Sequence, residues 1–300
     1  MDGIINVFKP AGMSSFSCVK KVARSLGVPK AGHGGTLDPE ATGILPVFVG
    51  KATKLADFMH DYDKSYRAEF LLGIQTDSFD IWGNITASCD ANELNDITEE
   101  RVNKVLKSFI GECEQIPPAY SAVKIGGVPA YKLARKGKDV EIKSRKVNIF
   151  SADLISYDSC SHKGIFEISC SKGTYIRTVC SDIGKSLGCG ACMTALIRTQ
   201  YGPFNIDNSV NLEGCTPENL LPCDFLLKDY PSLELDDFEA RQYASGAYKM
   251  VSADDKPISG ILLNEGYIRI YNNNKLFALA KYEQANEEGI IKLIPYKFFG

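Results

Sequence analysis

A segment rich in glycine and proline, residues 31–46, interrupts the regular hydrophobic patterning of the N-terminal part of the chain. Its sequence, AGHGGTLDPEATGILP, holds four glycines and two prolines. This composition predicts turns and irregular backbone rather than a helix or a strand. A long irregular segment inside a compact chain is typical of a functional loop. Residues 31–46 are therefore a candidate location for chemistry.

Predicted helices and strands alternate along the rest of the chain, which indicates a mixed α/β (α+β) fold. Apolar residues at helical spacing predict helices over Ser17–Leu26, after an N-cap at Thr98, and after an N-cap at Thr174 with Gly188 as the stop. Strand-like runs lie at residues 66–72 and 165–170, in a C-terminal hairpin of YIRIY and KLFALA, and near IIKLI. The 300 residues are enough for one large and one small domain.

The composition excludes several classes of protein. The N-terminus has no sustained apolar run and no stretch reaches membrane-spanning length, which predicts a cytoplasmic protein without membrane contact. Ten cysteines without a secretion signal indicate reduced thiols rather than disulfides. Cys189 and Cys192 have the spacing of half a zinc site, but no second half follows, so packed thiols are favoured. We expect no metal and no cofactor.

The net charge of −3 hides a concentrated basic segment. Residues 124–147 contain eight basic and two acidic side chains, whereas residues 68–123 contain three basic and ten acidic ones. The stretch from 115 to 146 also contains Pro-Pro and Gly-Gly pairs, so it resembles a functional insertion more than core. On charge alone, a solvated loop and an RNA contact are equally good interpretations of this segment.

Two charged residues are candidates for chemistry. Asp38 lies in the glycine-rich segment, where an Asx turn explains a lone aspartate equally simply. A phosphate-binding P-loop is rejected, because the first glycine of that pattern is missing. Arg177 would be the third helical residue if Thr174 is the cap, a position where the helix dipole disfavours a cation. An Asp38–Arg177 pair would resolve this by keeping the carboxylate ionised and oriented, and a surface arginine in a frayed first turn is the alternative.

Four long motifs follow one another along the chain. They are GHGGTLDPEATGILPV, KSYR, PPAYSAVKIGGVPAYKLARKG and CSKGTYIRTVCSDIGKSLGCGA. In order and spacing they resemble the TruB family of pseudouridine synthases, and the similarity runs from NVFKPAGMSS to about Thr199. On this resemblance we expect a catalytic domain over residues 1–228, built on a mostly antiparallel sheet with a central cleft. A small β-rich, PUA-like RNA-binding domain is expected over residues 229–300.

The resemblance also implies roles for individual residues. Asp38 matches the catalytic aspartate, Arg177 the arginine that pairs with it, and Tyr66 the tyrosine that stacks on the target base and is proposed to assist proton removal from C5. The expected substrate-site residues are His33, which fills the space left by the displaced uridine, Tyr175 and Leu196, which line the base pocket, Lys9, whose motif supports the catalytic loop, and Arg135 and Lys136 in the basic insertion, which hold RNA.

The chain departs from the family pattern at two places. Gly34 stands where many relatives have threonine, which should loosen the loop slightly without touching a catalytic group. Ile197 and Arg198 stand where an arginine pair is common, which removes one expected phosphate contact.

The implied activity is isomerisation of uridine-55 in the T loop of tRNA to pseudouridine. The chain would act alone, as a monomer without an obligate protein partner. An ionised carboxylate can attack either C6 of the base or C1′ of the sugar, and the target base must first leave its stack. One alternative is a catalytically idle tRNA-binding or folding protein, which the chemistry of Asp38, Tyr66 and Arg177 opposes. Another is a guide-RNA-dependent pseudouridine synthase, which the acidic C-terminal part opposes.

Overall fold

Two β-sheets organise the chain in the computed structural model, which describes residues 1–121, 123–134, 136, 142–252, 266–284 and 290–300. The strands are β1 (Gly3–Lys9), β2 (Ala31–His33), β3 (Thr42–Val49), β4 (Lys64–Leu72), β5 (Ile74–Thr76), β6 (Ile85–Ser88), β7 (Gly111–Gln115), β8 (Lys124–Ile125), β9 (Val128–Pro129), β10 (Arg145–Asp158), β11 (Lys163–Cys170), β12 (Ala191–Tyr201), β13 (Phe204–Asn205), β14 (Val210–Asn211), β15 (Ser232–Glu234), β16 (Lys249–Ser252), β17 (Gly266–Asn272), β18 (Lys275–Gln284) and β19 (Ile290–Phe298). The α-helices are α1 (Ser15–Ser25), α2 (Ala91–Leu94), α3 (Glu99–Lys107), α4 (Ala130–Ala134), α5 (Ile176–Leu187) and α6 (Asp237–Ala244). Short 3₁₀ helices occupy Gly50–Asp61, Leu212–Gly214, Pro217–Asn219 and Cys223–Leu227.

The larger sheet has the strand order β14-β1-β3-β12-β4-β11-β10-β7, with β2 and β13 attached to β3 and β12. Among its described pairings, β1 with β14 and β3 with β12 are parallel, and the others are antiparallel. The predicted mixed α/β fold with a mostly antiparallel sheet is therefore confirmed. Strand β12 lies between β3 and β4, although it follows them by more than a hundred residues in the chain.

Two helices cover one part of this sheet and bury the apolar stripes that the sequence predicts. In α3, capped by the Thr98 hydroxyl, Val102 and Leu106 are fully buried. In α5, Val179 and Ile183 join them in a cluster that also includes β4, β10 and β11 side chains. Helix α1 packs its own apolar face separately, against β1 and β3.

The start of α5 differs from the expectation. The helix begins at Ile176 with Tyr175 as the N-cap, not at Thr174. The Thr174 hydroxyl instead donates to the Ser171 carbonyl at 3.0 Å, while the Tyr175 N–H donates to Gln115 Oε1 at 2.7 Å. These bonds hold residues 171–175 in a turn, so the helix begins one residue later than predicted and Arg177 is its second residue.

The expectation of an irregular segment over residues 31–46 is only partly correct. Strands β2 and β3 occupy its two ends, and the irregular part is residues 34–41. Strand β3 is buried on both faces, so it has no alternating pattern to reveal it in the sequence. Gly43 has a positive φ of 104° and approaches the Arg198 backbone so closely that a Cβ there would clash. This glycine is therefore required inside a strand, and does not mark a loop.

The second sheet has the order β15-β17-β18-β19-β16, which is consistent with a PUA-like domain. This sheet shares part of its hydrophobic core with the large sheet, because Leu279 and Phe299 pack with Ile4, Phe48 and Leu55 of the N-terminal part. The domain boundary at residue 228 thus stays a prediction. Within the described ranges, no helix is both long and apolar enough to cross a membrane.

Candidate active site

A cleft of about 1130 Å³ opens beside the centre of the large sheet. Its lining comes from residues 35–39, residues 77–84, the turn 171–177, and the side chains of Tyr66 on β4 and Leu196 on β12. Five segments separated in sequence therefore meet at one site. The predicted central cleft is present, and it contains the three residues expected to be catalytic.

Arg177 is the most heavily coordinated side chain in the cleft. Its guanidinium is 5% exposed, and its Nε lies 2.9 Å from Asp38 Oδ2. The guanidinium also donates to the carbonyl oxygens of Ser78 at 3.0 Å and Tyr120 at 2.9 Å. The sequence-based pairing of Asp38 with Arg177 is thus present, and the alternative of a frayed surface arginine is wrong.

Asp80 is a second carboxylate at this arginine that the sequence reasoning missed. Its Oδ2 lies 3.4 Å from Arg177 Nη1, and its side chain is 15% exposed. Its Oδ1 accepts from the Ser78 hydroxyl at 2.7 Å and from the Trp82 N–H at 3.2 Å. The only signal in the sequence is a polar turn, TDSFDIWGN, which does not show that it approaches a helix almost one hundred residues later.

The pKa of Asp38 is raised above its ordinary value, because burial in the cleft disfavours the charged carboxylate. Arg177 opposes this shift, and the nearby Asp80 carboxylate adds to it. Arg177 thus acts on this pKa in the direction that the expected pairing implies, but burial outweighs it. The arginine orients the carboxylate and offsets part of the burial, and the resulting group has a greater affinity for a proton than an ordinary aspartate.

Tyr66 and Leu196 form an apolar part of the cleft on neighbouring strands. Each is 8% exposed and each lines the cavity. Burial raises the pKa of Tyr66, and a hydrogen bond with the Arg198 side chain opposes the shift. Tyr66 is therefore a neutral phenol over the physiological range. An apolar site in the same cleft as a carboxylate is suited to a planar base.

The loop that carries Asp38 is fixed by buried polar side chains from three elements. The Ser15 hydroxyl of α1 donates to the Leu37 carbonyl at 2.9 Å and accepts from the Leu37 N–H at 2.8 Å. The fully buried Lys9 ammonium donates to the carbonyls of Pro10, Met13 and Pro39 at 2.7, 2.8 and 2.9 Å. Lys9 supports the loop as its motif implies, but its inclusion among substrate contacts is corrected, since the ammonium is enclosed by protein carbonyls.

Arg198 fixes the other side of the same loop. It is 1% exposed, and its Nε donates to the Ile44 carbonyl at 2.7 Å. Its two other nitrogens donate to the carbonyls of Gly35 and Thr36 at 3.2 and 3.4 Å. Arg198 is thus a buried structural clamp beside Tyr66 rather than a phosphate contact.

The residues around His33 explain the departure at position 34. A Cβ on Gly34 would lie 2.5 Å from Met59 Cγ, and Met59 is fully buried. The methionine therefore fills the space of a larger residue, and the glycine does not loosen the loop as expected. His33 lies on β2, half-buried, with its pKa lowered mainly by burial. Its Nδ1 has no hydrogen-bond partner among the described residues.

The remaining predicted contacts divide into two groups. Tyr175 lines the cleft, and its ring packs under the Arg145 guanidinium at 4.7 Å. Lys136 is an exposed residue after the end of α4, and it is absent from the described lining of the cleft. Arg135 lies outside the described residues. Besides Arg177 and Arg198, the lysines and arginines that line the cleft are Lys64, Arg145, Lys146 and Lys172. Burial lowers the pKa of Lys64 to about 8.

Comparison with known proteins agrees with this fold. A model of the TruB family pseudouridylate synthase N-terminal domain matches residues 23–176, and one of the tRNA pseudouridylate synthase B C-terminal domain matches residues 177–217. The chain is accordingly a pseudouridine synthase, an enzyme of the isomerase class.

Proteins of similar sequence indicate which family of pseudouridine synthases the chain belongs to. A tRNA pseudouridine synthase B from Clostridium tetani is 40% identical over 300 residues, covering 98% of this chain and 100% of the relative. One from Francisella philomiragia is 39% identical and covers 100% of this chain and 95% of the relative. The protein belongs to the TruB family. A chain from the crystal structure of a Cbf5-Nop10-Gar1 complex has the same fold, with a TM-score of 0.69 and 26% identity over 99% of this chain and 85% of that one.

Proposed function

We propose that this enzyme converts uridine-55 in the T loop of tRNA to pseudouridine, with Asp38 as the nucleophile. The observation that carries the proposal is the Asp38 carboxylate, oriented by Arg177 at 2.9 Å beside the apolar site of Tyr66 and Leu196. The full-length similarity to proteins named tRNA pseudouridine synthase B supports tRNA as the substrate. The enzyme acts alone, as a monomer in the cytoplasm.

The chemistry requires the target uridine to leave its stack and enter the cleft. There its base stacks on Tyr66, while His33 fills part of the vacated space. An Asp38 oxygen attacks C6 of the base or C1′ of the ribose, and the N1–C1′ bond breaks. The base turns and C5 bonds to C1′. The bond from Asp38 to C6 or C1′ breaks, which frees the carboxylate, the C5 proton leaves and N1 gains a proton. The product has the composition of the substrate, so no oxidant or reductant is consumed.

The proposal is tested by mapping pseudouridine in tRNA treated with wild-type enzyme and with Asp38→Asn. We expect one modified position, uridine-55, with wild-type enzyme and no product with Asp38→Asn. RNA affinity should stay within about tenfold, because affinity comes mainly from phosphate contacts. Asp77→Asn is the matched control, because Asp77 lines the same cleft but bonds to Asn84 instead of Arg177. Product from Asp38→Asn at the wild-type yield in a single turnover would exclude Asp38 as the nucleophile.

The same assay separates the two alternative functions. Purified enzyme and an unmodified tRNA transcript are the only macromolecules present. Binding without any product indicates a tRNA-binding or folding protein, and product that appears only after a guide RNA or further proteins are added indicates a guide-dependent enzyme.

A further inference from the structure

The turn between β5 and β6, residues 77–84, holds an exposed tryptophan beside the active site. Trp82 is the only tryptophan in the chain, lines the cleft, and is 54% exposed. A large aromatic side chain exposed inside a substrate cleft is typical of a binding contact, since exposure of its ring to water has a cost in free energy.

The backbone around Trp82 is rigidly anchored. The Ile81 N–H donates to the Met193 carbonyl, and the Met193 N–H donates to the Phe79 carbonyl, both at 2.9 Å. The Asp77 carboxylate accepts from the Asn84 backbone and side chain at 2.9 and 3.0 Å. The Trp82 ring is therefore presented on a turn that is bonded to β12 through Phe79 and Ile81 and is closed by the bonds between Asp77 and Asn84. Presentation of this kind reduces the entropy lost when a ligand binds.

The charges of the cleft indicate which part of an RNA meets this turn. The cations Lys64, Arg145, Lys146 and Lys172 line the cleft from β4, β10 and the turn 171–175. The turn 77–84 contributes the carboxylates of Asp77 and Asp80 instead. Phosphates are attracted to the first group and repelled by the second. An RNA in the cleft thus exposes its bases, rather than its backbone, to Trp82.

We propose that Trp82 is a stacking platform for an unpaired base of the substrate RNA, next to the uridine that enters the cleft. This proposal rests on the proposed function. The backbone N–H of Trp82 donates to Asp80 Oδ1 at 3.2 Å, and the other oxygen of Asp80 lies 3.4 Å from Arg177 Nη1. The base on Trp82 is therefore bound by the turn that also contacts Arg177 of the Asp38–Arg177 pair. Trp82 thus helps to determine how the T loop of the RNA is positioned on the enzyme.

The first experiment uses the intrinsic fluorescence of the single tryptophan. The Asp38→Asn enzyme is titrated with a T-loop hairpin RNA, so that no turnover occurs. Stacking predicts saturable quenching with the same midpoint as binding measured by filter retention. Binding without any change in the Trp82 emission would overturn the proposal.

The second experiment measures kinetics with the Trp82→Ala and Trp82→Phe enzymes. Loss of the ring should raise KM for the hairpin by about tenfold to a hundredfold, more than it lowers kcat. Phenylalanine should restore most of the affinity, because it also stacks. Ile85→Ala is the matched control, because Ile85 is 66% exposed on the adjoining β6 but is absent from the described cleft lining. It should leave KM unchanged.

The third experiment identifies the base by replacing each neighbour of the target uridine with an abasic nucleotide. One replacement should weaken binding to the wild-type enzyme but not to Trp82→Ala, since the two losses remove the same contact. Independent losses at every position would overturn the proposal. Pseudouridine formation by the wild-type enzyme is scored separately. Normal product with unaltered Trp82→Ala kinetics rejects the stacking role alone, and absence of product rejects the proposed function.

Discussion

Arg177 lies between two carboxylates, Asp38 and Asp80, and this arrangement controls how the site responds to pH. In the proposed mechanism Asp38 must be ionised to act as a nucleophile, so we expect activity to be lost as pH falls through its pKa. Because burial and Asp80 raise that pKa, the acidic limb of activity should lie at a higher pH than an ordinary aspartate would give.

Asp80→Asn tests the contribution of the second carboxylate. Removal of its charge should lower the Asp38 pKa, so the acidic limb of kcat/KM should move to lower pH. The turnover at the optimum should fall, because Arg177 loses one of its two carboxylate partners. The measurement is kcat/KM against pH at constant ionic strength. Asp77→Asn serves as the control, and an acidic limb equally displaced in both variants would contradict this interpretation.

Arg198 is a buried cation that affects the site by holding the backbone of the loop that carries Asp38. Its planar guanidinium bonds to three carbonyls of the catalytic loop and of β3, a geometry that a lysine ammonium does not reproduce. Arg198→Lys should lower the free energy of unfolding by about 1–3 kcal/mol and reduce turnover more than RNA affinity. Denaturant titration and single-turnover kinetics provide the two measurements.

A suitable control for this substitution is Arg67→Lys on β4. Arg67 forms an ion pair with Glu167, but its side chain is 53% exposed, so the change should cost less than about 1 kcal/mol. Equal losses of stability in both variants would mean that the Arg198 contacts have no special weight.

The sequence predicts one half of the ion network and misses the other for a physical reason. Arg177 near a helix start conflicts with the helix dipole, and this conflict indicates a nearby anion such as Asp38. Asp80 and Arg198 present no local conflict, because an aspartate in a turn and an arginine in a strand are ordinary. Their roles depend on which strands become neighbours, and that information is not local.

At the scale of elements, amphipathic helices and strands with one buried face, such as β4 and β11, are predicted well, and strands buried on both faces are predicted poorly. Helices α1 and α3 have a single apolar face, so the spacing of their buried residues reveals them. Strand β3 is buried on both faces and contains Gly43 and Pro46, so its pattern resembles a loop. The cleft forms where β12 lies between β3 and β4. No sequence motif predicts that these three strands are neighbours.

The basic insertion between β7 and β10 leads to a prediction on RNA affinity. If Arg135 and Lys136 contact phosphates, the double Gln variant should bind tRNA more weakly. Its log–log salt dependence should flatten by about 0.7–0.9 for each lost contact. Affinity across a salt series gives both quantities. Changing Lys20 and Lys21 on α1, which are absent from the described cleft lining, to glutamine is the control. Parallel lines with equal intercepts for the test variant and wild type would leave the insertion as a solubilising loop.

At the scale of the whole molecule, the two sheets share a hydrophobic cluster. Leu279 of β18 packs with Ile4, Phe48 and Leu55. The ring centroids of Phe58 and Tyr267, one from the N-terminal part and one from β17, are 5.2 Å apart. The C-terminal part therefore stabilises the catalytic part, whether or not it also binds RNA.

Leu279→Ala should lower the free energy of unfolding by about 2–5 kcal/mol. It should also lower the temperature at which pseudouridine formation is lost, because the cavity opens in the shared cluster. Leu293→Ala is the matched control, since Leu293 is equally buried but packs in a separate cluster formed by the second sheet and α6. Calorimetry measures the stability of both variants, and residual activity after heating shows whether Leu279→Ala inactivates the enzyme at a lower temperature than Leu293→Ala does. A catalytic half whose heat inactivation is unchanged by Leu279→Ala would show that it is stable by itself.

The late position of β12 in the chain has a consequence for biosynthesis. During translation, β3 and β4 leave the ribosome long before β12, so the middle of the large sheet is vacant and two strand edges are unpaired. Asp38 emerges early, yet Arg177 and Arg198, which orient it and its loop, are made well over a hundred residues later. The nascent enzyme therefore has no assembled site until the large sheet closes, and in that interval its open edges are the part of the molecule most in need of protection from aggregation.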